Sequence, residues 1–131
     1  MRTRYYTLFG EALDKEGGSH IVTVVGEYTQ FKEDSTEEVD IFDDDGVKWV
    51  ATRPVKKQKR VLRLAYSICH PYDNFSKEEG IKIAKRRLKE GKTIGELSTY
   101  DFTMLNPDQC EMMVLNEVGH IIKHIDTYIE R

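Results

Sequence analysis

Apolar and polar positions alternate through the first half of this chain, whereas toward its end apolar residues recur three and four apart. The alternating segments are rich in β-branched and aromatic residues. Arg4 to Leu13 and His20 to Gln30, separated by the turn-forming run 14–19, predict a β-hairpin. Gly10 and Gly26 interrupt its two strands, where a bulge or the close approach of another backbone is expected. Asp43 to Gly46 is a second turn signal, after which Val47 to Thr52 resumes strand character until Pro54. Trp49 is expected to anchor the core, given the apolar area it can bury. Val61 to Ile68 is the clearest strand. Leu62, Leu64, Tyr66 and Ile68 share one face and Val61, Arg63, Ala65 and Ser67 the other, so one face should pack and the other should be open to a ligand or partner.

His70-Pro71 ends that strand, and Ser76 to Glu79 has the form of a capping box. A helix is predicted from Lys77 to Glu90 with Gly91 as its left-handed stop, burying Ile81, Ala84 and Leu88. Gly80 costs about 1 kcal/mol of helix propensity, which suggests a close backbone contact or, alternatively, room for a ligand. Asn106-Pro107 opens a second, long helix whose stripe is Leu115, Val118, Ile122, Ile125 and Ile129. Met112, Met113, Val114 and Ile121 lie outside that stripe, so a share of this helix is expected to form a subunit interface and the protein a homo-oligomer. The fold expected is α+β: an antiparallel sheet of four or five strands covered by two helices, the C-terminal one long, in a single domain over residues 1–131.

Composition adds constraints. No apolar run approaches the roughly 18 residues of a membrane span, and the N-terminus lacks a signal core, so a cytoplasmic protein is expected. Cys69 and Cys110 lack the spacing of a zinc site or a disulfide framework and read as reduced, half-buried residues. The net charge of −3 conceals two opposed runs: residues 33–45 hold eight carboxylates and no base, residues 53–63 six bases and no acid. The acidic run reads as a polar loop beside a basic edge strand. Sharper alternatives are a phosphate-binding face on the bases, or an acidic surface that imitates nucleic acid. The acidic overall balance argues against a duplex-DNA binder.

Three constellations could carry chemistry. Glu117, His120 and His124 can project from one helix face, yet no second Glu-x-x-His accompanies them, so a solvated face is favoured over a metal site that would serve a phosphodiesterase. Cys69 and His70 point to opposite sides of a strand, so the histidine is poorly placed to activate the thiol. With no Walker loop, dinucleotide fingerprint or nucleophile elbow, no catalysis and no cofactor are expected. The third constellation is the strand-to-helix junction read as an anion or nucleotide site. Helix amides with His70, Asn74 and Ser76 would meet the ligand's polar groups, Arg63, Arg86 or Arg87 would neutralise its phosphate, and Tyr72 or Phe75 would stack on its base. Alternatively, Tyr72 and Phe75 staple the helix start to the core.

The pattern of Ile68, Cys69, Pro71, Asp73 and Phe75, followed by Gly80, Ile83, Ala84 and Arg87, resembles a strand-to-helix motif of small accessory proteins from tailed bacteriophages and prophages. The resemblance extends to anti-defence sponges that sequester the signalling nucleotides of Thoeris and related systems. It covers about twenty residues, and His70 and Arg86 depart from it, standing where asparagine and glycine are usual. It implies an oligomeric viral protein in the cytoplasm of an infected bacterium that holds a cyclic-ADP-ribose-type or cyclic-oligonucleotide signal without reacting with it. The rival expectation is a protein-interaction inhibitor, anti-CRISPR-like, that uses the acidic run 33–45.

Overall fold

The structure, a computed structural model, describes residues 2–69, 77–100 and 106–129. The fold is α+β. Strands β1 (Arg2–Leu13), β2 (Ser19–Phe42) and β3 (Lys48–Cys69) form an antiparallel meander, and the short β4 (Gly95–Tyr100) pairs with β3 on its far side. Helix α1 (Lys77–Lys89) precedes β4, and α2 (Pro107–Lys123) with the short α3 (Ile125–Ile129) closes the chain.

Alternation decides which helix lies where. Even-numbered Val22, Val24 and Tyr28 of β2, with Leu62 and Leu64 of β3, pack beneath Cys110, Val114, Val118 and Ile121 of α2. Odd-numbered Val25 and Ala65 pack beneath Ala84 and Leu88 of α1. The two helices therefore cover opposite faces of one sheet. The open face expected on the clearest strand does not exist in this region, because Ala65 and Ser67 are buried under α1. Ser67 Oγ donates to the Gly80 carbonyl at 2.9 Å, so the helix backbone itself meets the sheet.

Glycine serves the same purpose on the other face. A Cβ on Gly26 would stand 2.7 Å from Val114 Cγ2, and one on Gly10 2.7 Å from Val118 Cγ1, so both let α2 approach the strands closely. No bulge interrupts the pairing at either position. Asn106 caps α2 by accepting from the Gln109 N–H at 2.9 Å, with Gln109 returning to the Asn106 amide. The buried stripe of α2 is Cys110, Val114, Val118 and Ile121, which shares Val118 with the expected one. Leu115 and Ile129 are exposed and Val118 and Ile125 buried, since the helix breaks at His124 and the stripe does not continue in one phase. Helix α1 ends as the sequence predicts, with Gly91 at φ 75° and its N–H on the Leu88 carbonyl. The Ser76 cap lies outside the described residues.

The largest departure concerns the charged runs. Residues 33–42 are strand, and the segments expected as separate strands at 47–52 and 61–68 belong to one strand that runs through Pro54. In a two-stranded ribbon every second residue turns its N–H to solvent, and a proline fits there. Acidic residues are poor strand formers alone, but here Glu33, Asp34 and Glu37 stand opposite Lys57, Lys56 and Arg53.

Candidate functional site

β1 pairs with β2 only as far as Gln30, and β4 with β3 only as far as Lys59. Beyond these points, among the described residues, β2 and β3 continue alone for eleven residues each, from Lys32↔Gln58 to Phe42↔Lys48. At about 3.3 Å per residue this ribbon is an arm of about 36 Å. Its register is unbroken, so it neither bulges nor folds back.

Opposite charges face one another along the arm. Lys59 approaches Glu33 (3.7 Å), Lys56 approaches Asp34 (3.9 Å), Arg53 binds Glu37, and Lys48 approaches Asp40 (3.4 Å). The acidic and basic runs thus neutralise each other across one ribbon. Exposed pairs of this kind contribute about 0–1 kcal/mol each, so they set register and solubility more than stability.

The tip is different. Asp43 accepts from the Asp45 and Val47 amides at 2.9 Å through Oδ1, Gly46 turns with φ 76°, and Trp49 Nε1 donates to Asp43 Oδ2 at 3.3 Å. The Val47 N–H, followed by the Trp49 ring N–H, holds the Asp43 carboxyl below its ordinary value. The first hairpin turn repeats this geometry around Asp14, with Glu16 and Gly18 amides on Oδ1, Gly17 at φ 84°, and His20 Nε2 at 2.8 Å from Oδ2. His20, however, is buried, whereas Trp49 is 59% exposed. Trp49 is not a core anchor, because the arm carries it away from both helices. Ile41 (50%), Phe42 (65%), Val47 and Val50 are exposed beside it. Ile41 and Trp49 are cross-strand partners, so they share a face, and in the alternation of the strands they have the parity of Val25 and Ala65.

The residues expected at the strand-to-helix junction divide into two groups. His70, Tyr72, Asn74, Phe75 and Ser76 lie outside the described residues. Arg63 donates to Glu27 at 2.6 Å, Arg86 is exposed near Glu90 (3.9 Å), and Arg87 donates to the Tyr66 carbonyl with its guanidinium 5.3 Å from the Tyr66 ring centre. Tyr66 meets Tyr128 edge-on at 5.2 Å, and Tyr128 in turn meets His120, which lies against His124 at 4.7 Å. Among the described residues, no group of three or more metal-ligating side chains is gathered. Searches against known proteins return no match to any family model, curated protein or solved structure.

One cleft was not foreseen in the sequence. It lies at the root of the arm, holds about 650 Å³, and is lined by Arg2, Gln30, Phe31, Lys32 and Gln58. These come from neighbouring rungs of β1, β2 and β3, a juxtaposition that only the register reveals. The two cysteines differ. Burial pushes the Cys110 thiol up to about 11, while Cys69 is half-buried at the end of β3. The Cys69 carbonyl lies 3.3 Å from the buried His20 ring, but their side chains belong to opposite sheet faces, so no thiol–imidazole pair forms there. Among the described residues no helix is long and apolar enough to cross a membrane.

Proposed function

We propose that this protein acts by non-catalytic binding, and that the arm is the element that grips a protein partner. The observation that carries this reading is the exposed tip: Ile41, Phe42, Val47, Trp49 and Val50 stand in solvent at the end of a ribbon that extends far beyond the core. A two-stranded ribbon is marginal in water, and clustered apolar exposure is characteristic of interaction surfaces. Asp43 fixes the Trp49 indole by its N–H and leaves the ring face available, which lowers the ordering cost of using it as an anchor. Of the functions weighed from the sequence, this favours an interaction inhibitor using the 33–45 segment, with one change: the segment acts through its apolar and acidic tip, because much of its charge is matched along the ribbon. The test is co-purification from the native cell with the wild-type chain and with the double variant Ile41→Ser, Trp49→Ser. A partner held by the wild type should be lost from the variant, and equal recovery would refute the role of the tip.

A second reading, capture of a cyclic nucleotide or ADP-ribose-derived signal by a phage-encoded protein, is favoured by the cleft at the arm's root. Arg2 and Lys32 supply cations there and Gln30 and Gln58 supply amides, a set suited to a phosphate-bearing ligand. Thermal shift against cyclic nucleotides and ADP-ribose derivatives tests it. A rise in melting temperature that Lys32→Ala abolishes would place the ligand in the cleft, whereas loss in Arg87→Ala alone would place it beside Tyr66. No rise with any of these ligands would dismiss the reading.

A further inference from the structure

We propose that the arm of one copy seats on helix α1 of a second copy, so that two molecules embrace reciprocally face to face. This rests on reading the arm as the gripping element and names its first partner. Charge supports it. The tip turn carries Asp43, Asp44 and Asp45, and the last two have no ion pair among the described residues. On α1, Lys82, Lys85 and Lys89 recur at helical spacing on one exposed face, and Lys82 and Lys89 likewise have no ion pair among the described residues. Lys85 lies 4.3 Å over the ring of Tyr5, itself 47% exposed, so the ammonium row borders an aromatic surface suited to Ile41 and Trp49.

Geometry determines which copy is involved. Helix α1 packs on Val25 and Ala65, while the tip ends at Phe42 and Lys48, seventeen residues further along each strand. At about 3.3 Å per residue this is about 55 Å of unbroken ribbon, so the tip cannot reach its own α1. In the register Ile41 and Trp49 share the odd parity of Val25 and Ala65, the residues beneath α1. A two-fold axis that brings each tip to the other molecule's α1 closes the contact as a dimer instead of propagating it as a filament. Two-fold edge-to-edge pairing of two arms is disfavoured, since β2 against β2 would oppose acids to acids and β3 against β3 bases to bases.

The test is analytical ultracentrifugation of the intact chain across a wide concentration range, with three variants whose folding is checked by melting. The wild type should form a dimer, and its dissociation constant should rise about tenfold or more in K82E/K89E. Adding D44K/D45K to that variant should restore the affinity. A wild type that stays monomeric, a dimer indifferent to K82E/K89E, or a failure of D44K/D45K to restore would each overturn the proposal. The third variant, Ile41→Ser with Trp49→Ser, separates the two claims. A dimer insensitive to charge reversal but lost on tip substitution removes α1 as the seat and keeps the arm; one that survives both removes the arm from the interface as well.

Discussion

Alanine at residue 26 would bring its Cβ to 2.7 Å from Val114 Cγ2 and 3.2 Å from Leu62 Cδ1, and the stiff valine on a helix has little room to yield. Gly26→Ala is therefore expected to destabilise the fold by about 1–3 kcal/mol, measurable by urea denaturation. Titration should expose Asp14 and Asp43 in the same way. The hydrogen bond from His20, then the Gly18 amide, holds Asp14 low, as the Val47 amide holds Asp43. Both carboxyls ionise more readily folded than unfolded. Their stabilisation is complete above the unfolded value near 3.8 and is lost as pH falls through the lower folded values, so Asp14→Asn and Asp43→Asn should each flatten the acid limb of the stability curve. Cys110 works in the opposite direction: its folded thiol keeps its proton to about 11 while an unfolded thiol releases it near 9.0, so stability falls as pH rises between them. At neutral pH a thiol reagent should modify Cys69 first and Cys110 only on unfolding. The glycine contacts were legible as alternatives in the sequence, because a glycine inside a strand marks either a bulge or a close neighbour. The ring-to-aspartate bonds were not, since nothing in composition tells which ring returns to which turn.

The elements divide by how local their causes are. The cap of α2 rests on residues three apart, and Asn106→Ala should lower stability by about 1 kcal/mol in thermal melting. Such signals, with Gly91 and the alternation of Val61 to Ile68, were readable because each depends on near neighbours. The arm was not readable. Glu33 to Asp45 looks like a loop when scored alone, yet its stretch to Phe42 is strand, with Lys57, Lys56 and Arg53 of β3 opposite Glu33, Asp34 and Glu37, a pairing that joins residues up to 24 apart. The stripe of the C-terminal helices was met at Val118 and Ile125 and missed at Leu115 and Ile129 for a related reason: an apolar helix offers several stripes, and the sheet beneath selects one. The arm should be separable from the body. Replacing residues 34–56 by Asn-Gly keeps Glu33 and Lys57 as neighbours, and the shortened chain should melt within about 0.5 kcal/mol of the wild type, as for other surface changes remote from a core.

The molecule as a whole is a sheet clamped between helices on both faces, from which one ribbon reaches out with an apolar, acidic end. The core is small and covered by α1 and α2, and among the described residues the exposed apolar side chains of the tip belong to neither core cluster. That separation between a body that folds and an arm that meets a partner is the central claim, and Trp49, the only tryptophan, reports on it directly. Fluorescence of the dilute protein, with acrylamide as quencher, should show a red-shifted, freely quenched indole that becomes blue-shifted and protected when a partner or a second copy covers the tip. A protected, blue-shifted Trp49 in the dilute monomer would mean that the tip is buried by its own chain, and would contradict the account.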